Sequence, residues 1–316
     1  MQATEPATSV AVPQRGLRDW VRLGLLVLAM AFGAYFVASR WGRLSSILGR
    51  MDPRAVIASV ILAAAGTLLG MMGWRAMLAD LGARLPVSMA TRVFLVGQLG
   101  KYLPGSVWSF LGQAELAKAQ RVSRKAALTG SLLGAGVMIA AGLTLAAALL
   151  PFGSTRAVHT YWWVVLVVPV FVLALHPRIS GAVVDRGLRL IRRQPLDSRP
   201  TYAGMLRAAA WYAVGWVLLG LHAWLLAVAL GAPAVASLAV AIGGFALAVC
   251  IGLLFLPAPA GAGVREIALT VTLSPVLGPT EALAVALVSR VILAVLDFVL
   301  AGLAALWVRR LRHRLS

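Results

Sequence analysis

Long apolar runs separated by basic segments dominate this chain. A helix needs about 20 apolar residues to cross a bilayer, and six runs reach or approach that length. They are residues 21–38, 55–74, 126–150, 157–176, 208–230 and 282–308. The runs are continuous and lack the alternation of a β-barrel. We therefore predict an all-α, polytopic membrane bundle whose backbone groups are satisfied inside helices.

Glycine and proline interrupt two further apolar segments. Residues 93–120 contain the sequence GKYLPG at 100–105, and residues 234–278 contain PAPAGAG at 257–263. Because proline removes a donor and glycine loosens a helix, we predict two helical hairpins with irregular backbone at their tips. Such backbone is tolerated at membrane depth only inside protein or beside a wet cavity. A full crossing by residues 234–255 is the alternative.

The order span, span, hairpin, span occurs twice, over about residues 20–150 and 157–308. Arginines in residues 177–207 and at the C-terminus indicate cytoplasmic segments. This assignment places both chain termini in the cytoplasm and the two halves in opposite orientations. Inverted repeats with paired broken helices are typical of transporters, and the breaks indicate the binding site. The basic residues at 40–54 then face outward, where an interfacial helix would tolerate them.

Composition agrees with a membrane protein and changes the meaning of the net charge. The chain is 61% hydrophobic and 12% charged, against about 45–50% and 25% in soluble domains. The net charge of +19 is often seen in proteins that bind nucleic acid. Here the cations lie between apolar runs, which is where multi-span membrane proteins carry their cytoplasmic excess of Lys and Arg. We therefore expect no nucleic-acid partner. A single cysteine and scattered histidines predict neither a metal nor a cofactor.

We predict three parts of the chain: a disordered cytoplasmic tail at residues 1–19, one integral membrane domain at 20–310, and a basic cytoplasmic tail at 311–316. The high Ala, Arg and Gly content and the low Lys content are typical of a GC-rich bacterial genome. The expected location is thus the bacterial cytoplasmic membrane.

Charged residues occur where charge is costly. Each charge near the bilayer centre costs about 2.5–3.5 kcal/mol and usually marks a functional pathway. Lys101, Arg265 and Arg290, together with helix N-termini expected near Ser106 and Val264, would form an anion site suited to phosphate.

A structural alternative is that these charges pair with one another. Arg290 and Asp297 lie two turns apart on one face of a helix. They would pair with Glu266 and Lys101 and so hold the two halves together.

The candidate substrate-binding residues lie at the two tips, on the helices that follow them and on the last span. They are Lys101, Tyr102, Pro104, Gly105, Ser106, Glu115, Pro257, Pro259, Gly261, Gly263, Arg265, Glu266, Arg290 and Asp297.

The two tips also resemble a known family. Residues 100–108, GKYLPGSVW, are similar to the GKYLPGxxW signature of the lysylphosphatidylglycerol synthase transmembrane, or flippase-like, family. Residues 257–266, PAPAGAGVRE, resemble its PxPGGxGxRE segment, with Ala260 where glycine is usual. Glu115, Lys118 and Arg290 match further positions of the family pattern.

The resemblance implies a membrane domain that handles lipid-linked anions. Known members move aminoacylated phosphatidylglycerol or are linked to polyprenyl-lipid glycan pathways. Because the chain ends at Ser316, we expect no soluble aminoacyltransferase domain and no synthase activity of its own.

Transport of an anionic lipid by alternating access is the leading functional hypothesis. Its partners would be membrane lipids, and Glu115 or Glu266 could take up a proton. The alternative is a polyprenyl-phosphate-linked glycosyltransferase or an accessory subunit of a lipid-modifying enzyme. With only ten acidic residues and no Asp-x-Asp motif, the chain carries no recognisable catalytic motif, so we expect that it is not an enzyme.

Overall fold

The computed structural model describes residues 41–103, 107–118, 120, 122–153, 166, 168–169, 173, 176–190, 199–255 and 259–313. The predicted tail at 1–19, the predicted span at 21–38 and most of the predicted span at 157–176 lie outside these residues, as does the predicted C-terminal tail apart from residues 311–313.

Ten α-helices and three short 3₁₀ turns make up the described residues, which contain no strand. The helices are α1 (Trp41–Leu48), α2 (Pro53–Asp80), α3 (Val87–Gln98), α4 (Val107–Lys118), α5 (Arg124–Leu149), α6 (Pro177–Leu190), α7 (Tyr202–Ala229), α8 (Ala234–Leu254), α9 (Val264–Leu277) and α10 (Pro279–His313). The 3₁₀ turns are Leu99–Tyr102, Leu150–Gly153 and Pro259–Gly261. The all-helical prediction is confirmed.

Five of these helices are long and apolar enough to cross a membrane: Pro53–Asp80, Arg124–Phe152, Tyr202–Ala229, Ala234–Leu254 and Pro279–Trp307. The chain is thus a multi-pass membrane protein. α8 is one of the five, so its length and composition suffice for a crossing, as the alternative interpretation of residues 234–255 allowed.

The long helices begin before their apolar runs because polar residues cap them. Asp52 accepts a hydrogen bond from the Arg54 amide at 2.9 Å, and Ser123 accepts one from the Ala126 amide at 3.1 Å. Thr201 likewise accepts from the Gly204 amide at 3.0 Å. Each cap satisfies an amide that the helix itself leaves without a partner.

The basic segment before α2 contains a short helix. α1 buries Ile47 and packs against α10, while Arg50 and Arg54 are exposed. The basic segment thus contains a helix, and its interfacial position stays a prediction.

Helices α2 and α7 form the central pair of the bundle. Gly66 of α2 lies so close to α7 that a Cβ atom there would be 2.7 Å from Leu219 Cγ and 3.0 Å from the Gly215 carbonyl oxygen. Gly73, two turns later, leaves room for the Tyr212 ring in the same way. Small residues therefore set the distance between these helices, as they commonly do in membranes.

This packing predicts opposite effects for two glycines of α2. Gly66→Ala should destabilise the protein by about 1–3 kcal/mol because the new methyl group overlaps α7. Gly70→Ala, where a Cβ meets nothing within 4 Å, should stabilise it by up to about 1 kcal/mol through helix propensity. Thermal unfolding of both variants in detergent checks the sign, and equal shifts would contradict the close approach.

The two tips meet inside the bundle. The Leu99–Tyr102 turn between α3 and α4 contacts the Pro259–Gly261 turn between α8 and α9. α10 contacts the first turn and packs along α9 and α3. This convergence of two segments about 160 residues apart positions the candidate site.

Candidate anion-binding site between the two tips

A cavity of about 220 Å³ lies where the two tips meet. Its walls come from both tips and from eight of the helices around them, namely α2, α3, α4, α5, α7, α8, α9 and α10. Three of its described lining residues are cations (Lys101, Arg265 and Arg290), and one is a carboxylate, Asp297. The cavity therefore has an excess of positive charge.

The first tip is fixed to α10 through a single carboxylate. Lys101 Nζ lies 2.7 Å from Asp297 Oδ2, and the Tyr102 hydroxyl donates to the same oxygen at 2.6 Å. The Tyr102 ring stacks on Phe298, with centroids 5.3 Å apart. Gly100 permits this turn because α4 runs against it, and a Cβ there would lie 2.6 Å from the Trp108 backbone.

The second tip is fixed to α10 by Arg290. Its Nη1 atom lies 3.1 Å from Glu266 Oε1 and donates to the Ala260 carbonyl at 2.8 Å. Glu266 also accepts a hydrogen bond from the Gly263 amide at 2.6 Å, which caps α9. Gly263 has a φ of 86°, a conformation that glycine adopts without a steric penalty.

Ala260 is the one non-glycine residue with positive φ in the described ranges, at 49°. A left-handed conformation costs a non-glycine residue about 1–2 kcal/mol. This strain lies at the corner where the second tip faces the first, and the Arg290 hydrogen bond to the Ala260 carbonyl holds the residue there.

Arg265 is the remaining cation of the cavity. Its guanidinium carbon lies 4.9 Å from the centre of the Phe245 ring. The Nη2 atom is buried and has no hydrogen-bond partner. In the part of the chain that the structure describes, no carboxylate forms an ion pair with Arg265. A cation held on an aromatic face with a buried donor unused is suited to bind an anion.

Comparison with known proteins identifies the family. The family model described as "Lysylphosphatidylglycerol synthase TM region" matches residues 20–310. The chain belongs to the lysylphosphatidylglycerol synthase transmembrane family. No curated protein gives a significant match. Membership in this family indicates a function related to membrane lipids.

Six of the candidate substrate-binding residues predicted from the sequence line the cavity. They are Lys101, Tyr102, Gly261, Arg265, Arg290 and Asp297. The predicted pairing of Arg290 with Glu266 and of Asp297 with Lys101 is present. The structural interpretation therefore holds for these two pairs, and among the described residues Arg265 is the cavity cation without a carboxylate partner.

The other candidates have different positions. Glu266 lies behind Arg290 and Gly263 caps α9, and Glu115 on α4 does not line the cavity. Pro259 begins the third 3₁₀ turn. The remaining candidates, Pro104, Gly105, Ser106 and Pro257, lie outside the described residues.

Sequence reasoning missed the neutral polar residues of the cavity. Trp74, Ser131 and Gln113 form a buried hydrogen-bonded chain on one wall, and Tyr212 lies beside them. Phe245, which supports Arg265, was also missed. The available signal was that Gln113, Ser131 and Tyr212 are polar residues inside apolar helices, where unsatisfied groups are costly.

Proposed function

We propose that this protein transports an anionic lipid or lipid-linked headgroup across the bacterial cytoplasmic membrane. The headgroup passes through the cavity between the tips, and the acyl or prenyl tails stay in the bilayer. The proposal rests on Arg265, whose guanidinium lies on Phe245 in a net-positive cavity and forms no ion pair with any described carboxylate. A phosphate would supply the missing acceptor for Arg265 Nη2.

The proposed mechanism is alternating access between two inverted repeats. Each repeat contributes one broken, re-entrant hairpin, and both chain termini are cytoplasmic. The ion pairs Lys101–Asp297 and Arg290–Glu266 link the tips to α10. Rocking of one repeat against the other would open the cavity to each leaflet in turn.

The proposal favours transport over catalysis. The carboxylates of Asp297 on α10 and Glu266 on α9 are both engaged in ion pairs, with Lys101 and Arg290 respectively. Their arrangement suits a structural role in holding the tips, whereas a general base needs a carboxylate or imidazole within reach of a reacting group.

The proposal predicts that Arg265→Gln lowers transport about 10- to 100-fold, the effect of losing one or two charged hydrogen bonds to the substrate. The assay uses purified protein in liposomes, with the transbilayer movement of fluorescent phosphatidylglycerol followed by dithionite quenching. Arg207→Gln is the matched control because Arg207 is exposed at the start of α7. Thermal unfolding verifies that both variants are folded.

Transport by Arg265→Gln at the wild-type rate would remove Arg265 from the site. A wild-type protein that moves no anionic lipid under conditions where it is folded would overturn the proposed function itself.

A further inference from the structure

One wall of the cavity, called the neutral wall below, consists of the uncharged polar residues Trp74, Gln113, Ser131 and Tyr212. Three of them form a series of hydrogen bonds in which each residue donates to the next. The Trp74 indole N–H donates to Ser131 Oγ at 2.8 Å, and the Ser131 hydroxyl donates to Gln113 Oε1 at 2.8 Å. The Ser131 hydroxyl thus accepts the indole proton and donates its own proton to the Gln113 amide oxygen. The amide of Gln113 is thus oriented, with its oxygen occupied and its NH₂ group at the other end.

Tyr212 places a second polar group on the same wall. Its side chain is 5% exposed and lines the cavity. Its ring lies against Gly73, and a Cβ at Gly134 would be 3.0 Å from its hydroxyl oxygen. Gly134 follows Ser131 by three residues and so shares its face of α5, which places the Tyr212 hydroxyl next to the chain of Trp74, Ser131 and Gln113.

Both side chains are largely buried and line the cavity. Across the described ranges, neither the Tyr212 hydroxyl nor the Gln113 NH₂ group makes a hydrogen bond. Buried polar groups are hydrogen-bonded in most structures, so a ligand or water in the cavity is the expected partner. The two groups are neutral, and together they donate and accept, which is the pattern that a hydroxyl group of a ligand satisfies.

The nearby charges are not available for a cationic headgroup. Asp297 is the one carboxylate among the described lining residues, and Lys101 and Tyr102 already contact it. A headgroup that carries ammonium groups would therefore compete with Lys101 for this carboxylate in a cavity of net positive charge. The cavity favours a headgroup that combines one phosphate with uncharged hydroxyl groups.

We propose that Tyr212 and Gln113 form a second subsite that binds the hydroxyl groups of a polyol or sugar phosphate headgroup. The inference rests on the proposed transport function and specifies the substrate class. Arg265 binds the phosphate, and the subsite distinguishes headgroups by what is attached to that phosphate. Trp74 and Ser131 act as positioning residues, because their hydrogen bonds orient the Gln113 amide.

The experiment compares two fluorescent lipids in the liposome assay: phosphatidylglycerol and phosphatidyl-1-propanol. Both have one phosphate and a three-carbon headgroup, and only the first has hydroxyl groups. The wild-type protein should move phosphatidylglycerol faster. Tyr212→Phe, which keeps the ring against Gly73, should lower this preference roughly 3- to 10-fold, the effect of one neutral hydrogen bond. Tyr202→Phe, at an exposed position on the same helix, should leave the preference unchanged.

Each result has a distinct meaning. Equal transport of the two lipids by the wild type, or an unchanged preference in Tyr212→Phe, overturns the subsite and leaves the proposed transport intact. A wild type that moves neither lipid overturns the transport function and the subsite with it. A loss of preference in Tyr212→Phe alone supports the subsite.

Discussion

Asp297→Ala should destabilise the protein by about 3–5 kcal/mol, the usual effect of removing one partner of a buried ion pair. Asp297 is 6% exposed, and one of its oxygens accepts from both Lys101 and Tyr102. Without the carboxylate, Lys101 remains in the cavity beside Arg265 and Arg290 with no counterion. The first tip should then detach from α10. The measurement is the free energy of unfolding in mixed micelles.

The double variant Lys101→Met, Asp297→Ala tests the cause of this loss. Removing both charges together leaves no uncompensated cation, so the double variant should be more stable than Asp297→Ala alone. Asp52→Ala is the control, since Asp52 is an exposed helix cap and its loss should cost about 1 kcal/mol. A double variant as unstable as the single one would mean that the ion pair does not explain the effect.

The ion pairs at the tips could be predicted from sequence because charge is so costly inside a membrane. A buried charge needs a partner, and the last span offers one cation and one anion on a single face, Arg290 and Asp297. The tips offer Lys101 and Glu266. With few charges available, complementary pairing left little choice, and the structure has these pairs.

Sequence could not predict in the same way that Arg265 would be the cavity cation without a carboxylate partner among the described residues. Arg265 and Glu266 are adjacent in sequence, but neighbours on a helix point in different directions. Glu266 turns toward α10, where it meets Arg290, and Arg265 turns toward Phe245 of α8. Which side each takes depends on how α8, α9 and α10 pack, and no local pattern in the sequence specifies that packing.

The neutral wall could not be predicted from the sequence for a related reason. Trp74, Gln113, Ser131 and Tyr212 come from four helices, and no spacing along the chain relates them. Apolar runs and proline-glycine breaks are local signals, so the spans and tips were predictable. A hydrogen-bonded chain across helices exists only after the helices have packed, and glycines such as Gly73 and Gly134 that admit Tyr212 look like ordinary packing residues in the sequence.

A second buried network should contribute as much to stability as Asp297. His222 of α7 contacts the Ser59 hydroxyl through Nδ1 at 2.6 Å and the Ser289 hydroxyl through Nε2 at 2.9 Å. All three side chains are fully buried, and they join α2, α7 and α10. Because a hydroxyl both donates and accepts, the two serines can satisfy both ring nitrogens of a neutral histidine.

His222→Ala should therefore destabilise the protein by about 3–5 kcal/mol, since it leaves two buried hydroxyls without partners and creates a cavity. The His222 ring also lies edge-on to Phe245, with centroids 6.1 Å apart, and Phe245 supports Arg265. Transport of phosphatidylglycerol should fall together with stability. Thermal unfolding and the liposome assay measure the two effects on the same preparation.

Two further variants separate the hydrogen bonds from the packing. Thr144→Ala removes a hydroxyl that bonds only to the Ala140 carbonyl of its own helix, and its effect should be under about 1 kcal/mol. The triple variant Ser59→Ala, His222→Leu, Ser289→Ala makes the whole network apolar, and replacing all partners together is far less costly than orphaning some of them. The triple variant should thus be more stable than His222→Ala. If it is less stable, the volume of the imidazole, rather than its hydrogen bonds, joins the three helices.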